Sequence, residues 1–169
     1  ELIERAGRVA DRISINIELP IQSSLVALAP EKNLPRTLAA MAHIRNKIDE
    51  ARDAVTPSPI RAGAAKNAPK PVAVKSGPKK PAASKPAHFA RSQSTQMIIG
   101  ADASSDAVIL QRANLLYHDY SLRRVYYSGF SPTAQPSILL PPQAPPLLRE
   151  HRLYQADWLL RFYEFKVEE

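Results

Sequence analysis

Asn16 and Glu18 stand two residues apart in the run Ile13-Ser14-Ile15-Asn16-Ile17-Glu18, where isoleucines at 13, 15 and 17 alternate with polar side chains. Period two is the strand signal, so one face is β-branched and apolar while the other carries Ser, Asn and Glu. At about 3.3 Å of rise per residue, the amide and the carboxylate would sit about 7 Å apart on that polar face. Such a pair suits ribose hydroxyls or an amino group. The plain structural alternative is an antiparallel strand with one solvated face.

The elements around this pair set which alternative applies. A helix is expected over 1–12, the strand over 13–18, and Pro20 ends it because proline cannot donate to a ladder. A short helix over 23–29, with Ser23 or Ser24 as N-cap, closes at Pro30. Pro35 suits the first turn of the next helix, along which Leu38, Met41, Ile44, Ile48, Ala51 and Val55 recur at three- and four-residue steps. A second strand is expected over 94–100. Ser104 or Ser105 can cap a helix with the stripe Ile109, Ala113, Leu116, Tyr117 and Tyr120. A third strand follows over 124–128, and a proline-rich loop leads to a last helix over 146–165. That helix is apolar on more than one stripe, so it is expected to be well buried. Strand–helix alternation with long connections predicts parallel strands in a βαβ series. Three such strands look like one half of a larger parallel sheet or barrel.

In parallel αβ barrels the functional residues lie at the C-terminal ends of the strands and in the loops beyond them. Here those places hold Asn16 and Glu18, then Gln96, Ile98 and Gly100, then Tyr127, Ser128 and Phe130. Gly100 would let a ligand approach the backbone closely. The histidines at 43, 88, 118 and 151 show no metal-ligand spacing. Arg149, His151 and Arg152 suit either a phosphate-bearing substrate or an exposed charged turn.

The chain has 169 residues, enough for one domain with a core. It opens inside an expected helix and closes directly after another, and is therefore expected to be a piece of a longer protein. The absence of cysteine excludes disulfides and any thiolate-ligated metal or iron–sulfur cluster within these residues. No run approaches the roughly 20 apolar residues of a membrane span, so a cytoplasmic protein is expected. The net charge of +7 is unevenly placed, because residues 56–91 hold six Lys and two Arg with no acid, leaving −1 for the remainder. That segment also holds seven prolines and no apolar periodicity, which predicts a disordered insert within a single domain. A non-enzymatic reading follows from it: a βαβ module that docks nucleic acid through the Lys-rich insert. No interleaved aromatics are present there for base stacking.

Five runs, 11–20 (DRISINIELP), 28–32 (LAPEK), 94–101 (STQMIIGA), 123–132 (RRVYYSGFSP) and 146–163 (PLLREHRLYQADWLLRFY), resemble the bacterial DNA modification and repair radical SAM proteins, in the family's order. The resemblance covers nearly everything outside 56–91. It implies an α/β fold, the last three βα units of a partial (β/α)6 TIM-type barrel, in which a four-iron four-sulfur cluster cleaves S-adenosylmethionine to a 5′-deoxyadenosyl radical. On that mapping Asn16 and Glu18 meet the cofactor's ribose or amino group. Ile98 and Gly100, with Gln96 on the same strand, and Tyr127, Ser128 and Phe130 hold the adenine, and Arg36 or Lys32 meets its carboxylate. The family's cysteine triad is absent from this chain, so the cluster ligands are expected in an N-terminal half that completes the barrel, with DNA as an implied partner. This chain alone is expected to be inert.

Limited proteolysis is expected to cut first at the six lysines between 56 and 91. Trypsin sparing them while cutting elsewhere would show that the segment is packed.

Overall fold

The computed structural model describes residues 1–55, 88–134 and 137–167. In chain order they form α1 (Leu2–Val9), β1 (Arg12–Ser14), α2 (Gln22–Leu28), α3 (Leu34–Val55), β2 (Ser92–Ile99), α4 (Asp106–Tyr120), β3 (Arg124–Gly129) and α5 (Leu147–Phe162). The strands make one parallel sheet in the order β1-β2-β3. The fold is α/β, as the alternation of elements predicts.

One face of the sheet carries the core. Thr95, Met97 and Ile99 of β2 and Val125 and Tyr127 of β3 are buried, and they pack with Met41 of α3, Ile109, Ala113 and Leu116 of α4 and Leu153 of α5. Of the expected stripes, Leu38, Met41, Ile44, Ile48 and Ala51 on α3 and Ile109, Ala113, Leu116, Tyr117 and Tyr120 on α4 are the residues that dock. Ser105 caps α4 by accepting a hydrogen bond from Val108 N at 3.4 Å. The caps expected at Ser23 or Ser24 do not form: α2 starts at Gln22 after Ile21, and Gln22 Oε1 instead accepts from Leu34 N at the entry to α3. Gln93, buried on the helix face, donates to the carbonyls of Met41 (3.1 Å) and Tyr120 (2.7 Å), which offsets the cost of removing its amide from water.

Three expectations are corrected here. The disordered insert is expected over 56–91, but His88–Arg91 are described and Phe89 and Ala90 are buried against Ile13, Ile44 and Ile48. The ring of Phe89 occupies the space that a Cβ on Gly7 would need, so α1 is seated through a glycine. Residues 56–87 lie outside the described residues. The regular strand expected over 13–18 stops at Ser14. Finally, α5 is not well buried: only Leu153 and Asp157 are, while Leu147, Leu148, Trp158 and Phe162 are more than half exposed. Its apolar residues exceed what one packed face can cover.

What α5 contributes instead is polar. Asp157 is fully buried and its carboxylate accepts hydrogen bonds from Tyr117 Oη of α4, Tyr127 Oη of β3 (3.0 Å) and Arg161 Nε one turn along (2.8 Å). The outward amides of β3 are also met by side chains: Val125 N donates to Tyr117 Oη at 3.0 Å, Tyr127 N to Tyr154 Oη at 2.9 Å, and Gly129 N to Glu150 Oε2 at 2.9 Å. This edge of the sheet is closed to another strand.

Burial, and then the charge of Asp157, push the ionisation of both Tyr117 and Tyr127 far above the ordinary tyrosine value near 10. A raised pKa means that the folded state holds its protons more tightly than the unfolded chain, so this contribution to stability is complete below pH about 10 and falls as pH rises above it. In an alkaline absorbance titration two of the six tyrosines are expected to ionise only as the protein unfolds. Asp157→Ala, which strands Arg161 and both hydroxyls, is expected to lower stability by about 3 kcal/mol or more in urea unfolding. Early titration of all six, or a neutral Asp157→Ala, would show that this network does not hold α5 in place.

Candidate functional site

The C-terminal end of β1 departs from regular pleat. Ser14 pairs with Ser94, and the next bridge is Glu18 with Met97, so four residues on one strand match three on the other. This is a bulge. Ile17 N turns to Thr95 Oγ1 (3.1 Å) in place of a ladder carbonyl, after which Glu18 N donates to Gln96 O and Ile98 N to Glu18 O. Glu18 itself lies at φ 63°, and Leu19 N donates back to Ile17 O at 2.8 Å. That is a γ-turn with a positive-φ centre, a conformation costing a non-glycine residue about 1–3 kcal/mol. Strain of this kind at the mouth of a parallel sheet marks Glu18 as the residue whose placement the fold sustains against local preference.

The Glu18 carboxylate is less than a quarter exposed and meets Lys32 Nζ at 3.4 Å, from the turn between α2 and α3. Asn16 Oδ1 accepts from Ser14 Oγ at 3.3 Å. The interval of about 7 Å expected between the amide and the carboxylate assumes regular pleat, and the bulge removes that premise. Arg36 is exposed on the first turn of α3, where its backbone N donates to Asn33 Oδ1.

The strand register sorts the remaining candidates. Gln96 and Ile98 pair with Tyr126 and Ser128 on the face turned away from the helices, and all four are at least partly exposed. Tyr127 alternates to the other face, where its hydroxyl is committed to Asp157 and its ring stands edge-on to Tyr154 at 5.1 Å. Its side chain is a core group. Phe130 packs against the core from partial exposure. Gly100 adopts φ 80° as the chain leaves β2, but a Cβ there would meet Pro145 at 2.8 Å. The close approach that glycine permits is made by the protein's own proline loop rather than left open for a ligand. Arg149 is likewise engaged, with Asp106 Oδ1 at 2.7 Å and Ser104 O at 2.8 Å, so it pins α5 to the start of α4.

At the other end of the sheet lies a feature that spacing along the chain does not reveal. A cleft of about 660 Å3 is bordered by Arg12, Arg123, Arg124 and Arg161 together with Tyr117 and Tyr126. Arg12 comes from β1, Arg124 from β3 and Arg161 from α5, with Arg123 just before β3, and only the parallel register brings β1 and β3 to the same level.

No group of His, Asp or Glu side chains among the described residues is arranged to hold a metal ion, and no described helix is long and apolar enough to cross a membrane. Comparison with protein-family models, with curated proteins and with solved structures finds no match to this chain.

Gly100→Ala places a methyl group against Pro145 in a backbone region that alanine disfavours. A loss of about 1–3 kcal/mol is expected in chemical unfolding. An unchanged midpoint would mean that the proline loop does not rest on the end of β2.

Proposed function

We propose that this chain is the C-terminal part of a parallel (β/α) barrel of the radical SAM type, acting in DNA modification or repair, and that it contributes cofactor contacts at the C-terminal ends of its strands. The observation that carries this reading is the asymmetry of the sheet. Side chains of α4 and α5 close the outer edge of β3, as suits a last strand. At the opposite edge Ile15 N donates to Ser94 O, so the amides of Arg12 and Ser14 point away from β2, and no described side chain accepts from them. Helices cover one face, and the other presents Gln96, Ile98 and Ser128 toward the space that further strands would enclose. The five runs that resemble the family agree with this arrangement and assign β1, β2 and β3 to the fourth, fifth and sixth strands.

The residues present fit S-adenosylmethionine in part. Glu18 offers a strained, mostly buried carboxylate suited to ribose hydroxyls or the amino group, Lys32 beside it offers a cation to the cofactor carboxylate, and Ile98 offers an apolar surface for the adenine. Asn16, Gln96 and Ser128 supply further polar groups near the same strand ends. The residues do not fit the iron–sulfur cluster, because the chain has no thiolate to hold one. On this reading cluster ligands and electron delivery belong to the N-terminal half of the barrel, and this chain binds and orients.

The test uses the complete protein. Glu18→Ala deletes a charge-assisted contact, so S-adenosylmethionine binding is expected to weaken by about 10- to 150-fold, while Glu50→Ala on the exposed face of α3 leaves it unchanged. A Glu18→Ala protein that binds the cofactor as the Glu50→Ala protein does would remove Glu18 from the site. A gene encoding no three-cysteine motif upstream of Glu1 would remove the radical SAM reading altogether.

A further inference from the structure

The arginine-lined cleft lies at the opposite end of the sheet from Glu18, where β1 and β3 begin and α4 and α5 end, and its role is independent of the reading above. Its border holds Arg12, Arg123, Arg124 and Arg161, and no Asp or Glu. General basicity does not account for this, because the chain outside 56–91 carries a net charge of −1. Helix electrostatics account for one of the four. Arg161 lies in the last turn of α5, where the exposed carbonyls favour a cation, and its Nε is bonded to buried Asp157.

The other three arginines have no such explanation. None of them forms an ion pair among the described residues. Among the described residues Arg12 Nη1 donates to the hydroxyl of Tyr126, at 3.3 Å. Arg124 lies over the same tyrosine ring at 5.3 Å and over Tyr154 at 5.6 Å, and its Nε is buried with no hydrogen-bond partner among the described residues. Two cations therefore meet the same tyrosine with no carboxylate on the border of the cleft. An anion among these guanidinium groups would supply the counter-charge that no described side chain gives Arg12, Arg123 or Arg124.

We propose that this cleft binds a nucleotide, with its phosphates on Arg12, Arg123 and Arg124 and its base against the rings of Tyr117, Tyr126 or Phe162. The planar guanidinium presents a fork of donors that matches phosphate oxygens two at a time. A volume of about 660 Å3 falls within the range of about 300–1,000 Å3 typical of small-molecule sites. The arginines converge on a concavity rather than forming a stripe, which favours a compact polyanion over an extended nucleic-acid backbone. Asn114 on the wall supplies an amide that can donate and accept.

Isothermal titration of the chain at low salt with ATP, and separately with pyrophosphate, tests the site. Both are expected to bind with Kd of about 10–100 μM, and Arg123→Gln and Arg12→Gln are each expected to weaken binding about tenfold or more. Arg124→Lys, which keeps the charge and loses the fork, is expected to weaken it as well. Arg52→Gln on α3 and Glu18→Ala at the far end of the sheet are expected to leave ATP binding unchanged. Arg12 and Arg123 lie at the surface end of the cleft, so their variants decide the matter should Arg124→Lys fail to fold. The proposal is overturned by absence of binding at about 1 mM ligand, by Arg52→Gln or Glu18→Ala weakening ATP as much as the cleft variants do, or by a single-stranded oligonucleotide that binds where ATP and pyrophosphate do not.

Discussion

The buried carboxylate of Asp157 is the interaction on which the arrangement of the sheet depends. A carboxylate removed from water is costly unless donors surround it, and here three converge from three elements: Tyr117 of α4, Tyr127 of β3 and Arg161 of α5. Because Tyr117 donates its hydroxyl hydrogen bond to Asp157, its oxygen is free to accept from Val125 N, which places the tyrosine at the rim of β3. Tyr154 and Glu150, on the preceding turns of α5, then fall at the level of Tyr127 N and Gly129 N. One buried charge therefore positions a helix, and that helix seals an edge that a bare parallel strand would leave open to association.

Sealing one edge gives the sheet a direction. Further strands can join only beside β1, and β1 is the strand with the least regular geometry. Its ladder to β2 slips by one residue between Ser14 and Glu18, and the slip is held by the Thr95 hydroxyl standing in for a ladder carbonyl. The bulge then delivers Glu18 into a γ-turn facing Lys32, which comes from the turn between α2 and α3 in the same crossover. Regular pleat would have given neither that pairing nor the positive φ.

How far the sequence discloses this depends on whether a feature is written locally. Strand–helix alternation, the Ser105 cap and the stripes of α3 and α4 are local, and they are observed as expected. The bulge is not, because the isoleucines at 13, 15 and 17 keep perfect alternation and no glycine or proline marks the slip; the cause is Thr95, about eighty residues away. Tyr126 and Tyr127 are likewise indistinguishable as neighbours, and only the register of β3 on β2 sends one to the open face and the other to Asp157. Gly100 was legible as a position needing conformational freedom, but what fills its open side is Pro145, from a loop with no sequence signal of its target. The apolar residues of α5 misled for a related reason. Hydrophobicity on several stripes resembles burial, whereas the buried face of this helix is centred on an aspartate.

Polar groups in the interior are otherwise provided for with care. Both donors recorded for buried Gln93 end on carbonyls, Asp157 has three partners, and Thr95 caps an amide that the bulge displaced. Two departures differ from that pattern: the unmet Nε of Arg124 and the γ-turn of Glu18, which of the three positive-φ residues Glu18, Ser121 and Glu164 is the one bridged to a strand. Natural sequences depart from local consistency chiefly where a site requires it. The two departures lie at opposite ends of the same small sheet, one beside a carboxylate and one among guanidinium groups. A carboxylate at one end and a group of guanidinium groups at the other thus share one scaffold, and the sheet between them keeps them apart.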